Sequence, residues 1–232
     1  MLTVCTDVPY PPMEYEDPDA DSGFTGFDIE LMREIALDLG LDLFVVTPGW
    51  DAITSGLAMD ARHCDLSAAA ITITPEREEG VDFSNPYFSA DQSLLVEEDS
   101  NATEMADLGS VAVLSGTPGD LYVQDNAPDH VTIVSFESPG DLYLSLETGA
   151  VDGVVIDLVG NQGYLDDTGL GRIIEVYETD ERYGLAFSEE GSDDLREEIN
   201  AVLAKFVLDA PTPGSSTSSS RPTDRTLLLL LV

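Results

Sequence analysis

Two stretches of this chain carry the same design. In "SGLAMDARHCDLSAAAI" (55–71) and in "YLSLETGAVDGVVI" (143–156), a segment rich in Leu or Ala ends, an aspartate follows, and an almost wholly apolar run begins. A short apolar run without alternation suits a strand covered on both faces. Such a strand needs a layer of helices above and below it. The repeat therefore restricts the chain to an α/β architecture built twice over.

The remaining segments fit that plan. "LTVCT" (2–6) reads as a strand, while the three prolines of "VPYPPMEY" exclude regular structure after it. "DIELMREIALDLG" places Ile29, Met32, Ile35, Ala36 and Leu39 on one face, with Asp28 expected as its cap and Gly40 as its stop. "LDLFVV" (41–46) is the next strand, "WDAITSGLAM" one helix, and "DLSAAAI" (65–71) a strand buried on both faces. The second half replays this order with "VAVL" (111–114), a helix opened by Pro118, "VTIVSF", the helix "PGDLYLSLETG" and the strand "VDGVVID" (151–157). "QSLLVEED" (92–99) and "ERYGLAFSEE" (181–190) read as joining strands, and "DDLREEINAVLAKF" as a helix returning to the first half. Two parallel-sheet lobes are expected, the first from residues 1–91 plus 185–210 and the second from 92–184. A Ser/Thr/Pro-rich tail without periodicity, 211–232, is expected to be disordered.

Charge narrows the function. One lysine and eight arginines face 46 carboxylates over 232 residues, a formal net charge of −37. That field repels nucleic acid and anionic membrane surfaces. Disorder is the usual reading of such charge, but a hydrophobic content of 43 % in regularly recurring runs argues for a core. Adaptation to very high salt fits better, because a short screening length mutes repulsion among surface carboxylates. Cys5 and Cys64 lack metal-ligand spacing; they suit a disulfide or, as the favoured expectation, buried free thiols. The chain opens on a strand as a trimmed mature domain would, and no apolar run approaches the ~20 residues of a spanning helix. The final "LLLLLV" is too short to cross a bilayer.

Ligands of open α/β sheets bind at the carboxyl ends of the strands. The loops there hold Asp7 and Tyr10 after the first strand, Trp50 before the second helix, and Ala70, Thr72 and Arg77 after the third strand. In the second half they hold Gly116 and Thr117, with Asp157 closing the last strand. One guanidinium, one separate carboxylate, two aromatics and several hydroxyl or backbone donors complement a zwitterion.

The stretches "TDVPYPPMEY", "GFDIELMREIA", "ITITPEREEGVDFSNPYF", "LSGTPGDLY" and "VDGVVID" give the chain its resemblance to the extracellular solute-binding proteins, family 3, of amino-acid ABC transporters. The resemblance runs from residue 2 to about 206. It implies the type II periplasmic-binding-protein fold, two α/β lobes joined by two hinge strands. It also implies a monomer outside the cytoplasmic membrane that closes over one free amino acid and delivers it to permease subunits, without cofactor or metal. Position by position, Arg77 would grip the ligand carboxylate as a fork that lysine cannot make, aided by Thr72, the Ala70 N–H and Thr117. Asp157 would pair with the α-ammonium, Tyr10 and Trp50 would sandwich the side chain, and Asp7 would meet its distal polar group. A cationic or amide side chain follows from Asp7.

Plainer readings stand beside these. Arg77 suits a solvated surface charge, Asp157 a helix cap and Trp50 core packing. "DPDADSGFTGFD" (17–28) has acids at calcium-loop spacing, but its glycine falls one place late and Asp28 stands where glutamate belongs, so a solvated hairpin tip is expected. His63 and His130 lack partners at catalytic spacing, and no nucleophile elbow, phosphate loop or dinucleotide fingerprint occurs. A dehydratase on the same fold would need a general acid near its leaving group. The ligand-binding domain of a membrane sensor would need a spanning segment after the last helix. A binding protein rather than an enzyme is the expectation.

Overall fold

The structure is a computed structural model that describes residues 1–209, with side chains to Phe206. The tail expected to be disordered, 211–232, lies outside the described residues. The chain divides into two compact units: Met1–Val8, Met13–Ser89 and Arg182 onward form the first, Pro9–Pro12 and Ala90–Glu181 the second.

The first unit opens with β1 (Leu2–Cys5), the hairpin β2 (Tyr15–Glu16) and β3 (Phe24–Thr25), and α1 (Phe27–Asp38). The hairpin tip closes on itself, with Asp17 N–H bonded to Gly23 O and Asp19 N–H to Asp17 Oδ1. Among the described residues no cluster of ligands suited to a metal occurs there or elsewhere. Helix α1 buries Ile29, Met32, Ile35 and Ala36, the face its periodicity requires. Its stop is the expected one: Gly40 N–H returns to Leu37 O and Leu41 N–H to Ala36 O. Its start is not. Gly26 caps the helix without a side-chain bond, and Asp28 lies inside the first turn, fully buried.

Next come β4 (Leu43–Val46), α2 (Trp50–Thr54), α3 (Leu57–Asp60), β5 (Leu66–Ser67) and β6 (Asp82–Phe83). The single helix expected over "WDAITSGLAM" is two short ones, because Gly56 turns left-handed between them at φ +79°. A side chain there would put its Cβ 2.5 Å from Gly80 O. The strand expected over 65–71 ends after Ser67 for a similar reason: Ala70 adopts φ +47°, which no strand admits. The whole run from Leu66 to Ile71 is nonetheless buried.

The second unit holds β7 (Phe88–Val96), β8 (Ser110–Leu114), α4 (Pro118–Asn126), β9 (Thr132–Phe136), α5 (Pro139–Glu147), β10 (Gly153–Asp157), α6 (Leu158–Thr168) and β11 (Arg172–Tyr183). Strands β7 and β11 continue across the boundary into the first unit. Local signals and structure agree for α4, α5 and β10, whereas the sequence raises no expectation of α6 or of β11 before residue 181. Thr117 and Ser138 cap α4 and α5 through their hydroxyls, each followed by proline at the first helical position. Strand β10 lies between β8, parallel, and β7, antiparallel, with Val154 and Val155 wholly buried.

The chain returns to the first unit with β12 (Ala186–Phe187) and α7 (Asp193–Asp209). The two five-stranded sheets have the orders β4-β1-β5-β12-β6 and β11-β7-β10-β8-β9. Each contains the same three-stranded parallel core, β4-β1-β5 or β9-β8-β10, in which the first strand is central. Each is extended by antiparallel strands, so the lobes expected as purely parallel are mixed. Cys5 and Cys64 form a disulfide with Cα atoms 5.6 Å apart, which corrects the expectation of free thiols. No sequence signal brought these cysteines together; the parallel pairing of β1 with β5 does.

Candidate functional site

The first unit carries five of the residues singled out by sequence. Thr72 is buried, and its backbone bridges to Tyr183. From there the chain turns through Pro75 into a 3₁₀ turn that starts at Arg77. Arg77 N–H bonds to Thr74 Oγ1 at 3.2 Å, and its Nη1 reaches back to Thr72 O at 2.9 Å. The guanidinium carbon stands 5.1 Å from the centre of the Trp50 ring. A planar cation over an aromatic face is attracted by the ring quadrupole and loses little freedom on meeting a carboxylate. Trp50 also packs on the core below it, so the plain core reading of that residue holds in part.

Asp7 lies partly buried after β1, and its carboxyl is pushed above the usual range, first by burial and then by the charge of Asp51. Ala70 departs from its expected role. Its N–H is held at 2.7 Å by the Asp28 carboxylate, so the amide expected to face a ligand carboxylate serves one within the fold.

The second unit carries Tyr10, Thr117 and Asp157, with Gly116 beside Thr117. Tyr10 donates to Asp157 Oδ2 at 2.9 Å. It can do so because position 160, in the first turn of α6, is glycine: a Cβ there would lie 2.6 Å from the Tyr10 hydroxyl. Asp157 occupies the N-cap position of α6 yet makes no side-chain cap bond. Its other oxygen accepts from the Gln92 amide instead. Thr117 caps α4, its hydroxyl donating to Leu114 O at 2.8 Å. Tyr10 and Trp50, expected as a sandwich, fall in different units.

Sequence reasoning missed two residues of this neighbourhood. Gln92 is fully buried, and its Nε2 faces both Asp157 and the carboxylate of Glu181, at 3.0 Å from Glu181 Oε1. With carboxylates on that side, the amide nitrogen must point at them and the oxygen away. Glu181, also buried, accepts from Thr179 Oγ1 at 2.7 Å as well. Gln92, flanked by Asp91 and Ser93, gave no signal along the chain. Glu181 gave none either, since one glutamate among so many carboxylates is anonymous. The charge of Asp157 adds to burial in pushing the Tyr143 hydroxyl well above its ordinary range, so that side chain stays a neutral donor.

His63 and His130 are both exposed, the latter with its ring nitrogen 3.0 Å from Ala106 O. Among the described residues no helix is long and apolar enough to cross a membrane.

The profile of the bacterial extracellular solute-binding proteins, family 3, matches residues 2–210. The ABC transporter glutamine-binding protein GlnH of Bacillus subtilis is 31 % identical over 188 residues, covering 79 % of this chain and 68 % of that protein. A putative ABC transporter arginine-binding protein 2 of Escherichia coli is 28 % identical, covering 90 % and 86 %. Among solved structures, holo ArgBP from T. maritima superposes with a TM-score of 0.77 at 33 % identity, covering 89 % of this chain and 90 % of that one.

Proposed function

This chain belongs to the bacterial extracellular solute-binding proteins, family 3, and from that premise we propose that it binds a free amino acid with a polar or cationic side chain and presents it to an ABC-type membrane permease. The single observation that carries the reading is Arg77, a scarce cation fixed by Thr72 O and stacked on Trp50. In this reading Arg77 grips the α-carboxylate, with Thr72 adding a donor and the Thr117 hydroxyl turning from Leu114 O to add another, and Asp157 takes the α-ammonium. Tyr10 and Trp50 flank the side chain. Asp7, whose ionised form is disfavoured by burial and by Asp51, gains most from a cationic partner. The relatives that bind arginine and glutamine support that ligand class. The protein acts as a monomer outside the cytoplasmic membrane, in a medium of high salt that screens its carboxylates.

Calorimetry at one fixed molar salt tests the site. Losing one partner of a bidentate, partly buried charge pair costs about 2–5 kcal/mol, so Arg77→Ala should weaken binding of the preferred amino acid about 30-fold to several thousand-fold. Arg77→Lys should recover only part of this, since a point charge cannot make the fork. Binding by Arg77→Ala as tight as wild type would refute the assignment.

A further inference from the structure

The motif "GFD" supplies a buried carboxylate that the proposed site does not use. Asp28 has no solvent exposure. One of its oxygens, Oδ2, accepts both the Ala70 N–H at 2.7 Å and the Tyr87 hydroxyl at 2.8 Å. Its Oδ1 has no hydrogen-bond partner among the described residues. Ala70 is held at φ +47°, a conformation that costs a residue with a Cβ about 1 kcal/mol or more and persists only where its surroundings enforce it.

The residues after Ala70 are tied in turn. Ile71 O accepts Gly184 N–H, Thr72 bridges to Tyr183, and Ile73 N–H reaches Arg182 O at 2.8 Å. Thr72 O then fixes the Arg77 guanidinium. On the other side, Tyr87 N–H bonds to Tyr183 O at 3.0 Å, and the Tyr87 ring packs against Phe27 and Tyr183. A single carboxylate oxygen thus joins the first turn of α1, the left-handed turn before Thr72, and the aromatic residues beneath that loop.

We propose that Asp28 is a positioning residue for amino-acid binding: by pinning the left-handed turn at Ala70, it sets the register in which Thr72 and Arg77 are presented. This rests on the reading of Arg77 as the carboxylate-binding group. The role belongs to the acceptor and not to the charge. Burial pushes the Asp28 carboxyl up to about 6, against the pull of its two donors. The titratable groups facing it are Tyr87 and, beyond Tyr87, the buried Glu14, neither of which supplies a cation. Because the folded value lies above the ordinary one, the favourable contribution of the bound proton is complete below pH 4 and is lost as pH rises through about 6. At neutral pH the fold therefore carries a charge that weakens it, in a place where the acceptor organises the site.

Two substitutions separate these roles. Asp28→Ala removes the acceptor and strands the Ala70 N–H and the Tyr87 hydroxyl; it should weaken binding of the preferred amino acid about tenfold to a hundredfold and speed amide exchange in the peptide around Ala70. Asp28→Asn can present its carbonyl oxygen to both donors; it should bind within about threefold of wild type. It should also melt at a higher temperature than wild type at pH 7.5, with the difference gone at pH 4. Wild-type affinity in Asp28→Ala, or a loss in Asp28→Asn as large as in Asp28→Ala, overturns the inference while leaving the Arg77 assignment intact. A wild-type protein that binds none of the twenty amino acids overturns both.

Discussion

The two parallel cores, β4-β1-β5 and β9-β8-β10, share an order but are stabilised differently. In the second unit two of the three helices, α4 and α5, are specified where they start, while α6 has no side-chain cap. "TPGD" at 117–120 and "SPGD" at 138–141 put a hydroxyl cap, a proline and an acidic residue at the mouths of α4 and α5. In the first unit α1, α2 and α3 start on Gly26, Gly49 and Gly56 with no side-chain cap. Its organisation comes from ties between residues far apart in sequence, the Cys5–Cys64 disulfide and the Asp28–Ala70 bond. Local specification yields regular helices; distant ties permit the broken strand and left-handed turns from which Thr72 and Arg77 emerge.

Removing salt should erase the comparison altogether. With 46 carboxylates against nine cations, self-repulsion acts over roughly 30 Å at 0.01 M salt and only about 3 Å at 1 M. The ion pair Lys205–Asp38 is exposed and Arg33–Glu30 only half-buried, so they offset little of it. Both units should lose cooperative structure on dialysis into dilute buffer and regain it in molar sodium or potassium chloride. A melting temperature indifferent to salt would discard the high-salt reading.

Breaking the disulfide should sharpen the comparison, because its effect belongs to one unit. The bridged cysteines are 59 residues apart, for which chain entropy gives about 4 kcal/mol. The Cys5→Ala/Cys64→Ala double variant should show faster amide exchange throughout β1, β4 and β5, with β8 and β10 unchanged. Equal loosening of both units would mean that the first unit does not rely on its distant ties.

The converse is smaller. Ser138→Ala deletes the cap whose hydroxyl accepts Asp141 N–H at 3.2 Å and should destabilise the second unit by about 1 kcal/mol. Amino-acid affinity should stay within twofold, since Ser138 touches no residue proposed to hold ligand. Denaturant unfolding and calorimetry on the same sample read both quantities, and an unchanged midpoint would remove local capping from the contrast.

The same contrast decided what was legible. In the second unit the start of α4 at Pro118 and the buried strand β10 could be read because their causes lie within a few residues, but α6 and most of β11 could not. In the first unit the same rules misplaced Asp28 as a cap, joined α2 to α3 and lengthened β5. Each error has a partner outside any local window: Ala70 for Asp28, the Gly80 carbonyl for Gly56, and Asp28 again for the turn that ends the strand run. Arg77 drew notice because cations are rare here. Gln92 and Glu181 did not, because a buried amide between carboxylates leaves no pattern along the chain.

Strand β12 carries one more consequence. It is two residues long, Ala186–Phe187, and stands between β5 and β6. Among the described residues strand β6 has no neighbour in its sheet other than β12. Synthesis delivers β6 at residue 83, and about a hundred residues must then leave the ribosome before the strand that holds it exists. The second unit, apart from Pro9–Pro12, is encoded without interruption between those two events. Translation therefore completes the uninterrupted unit first, and the unit bearing Arg77 acquires its full sheet last.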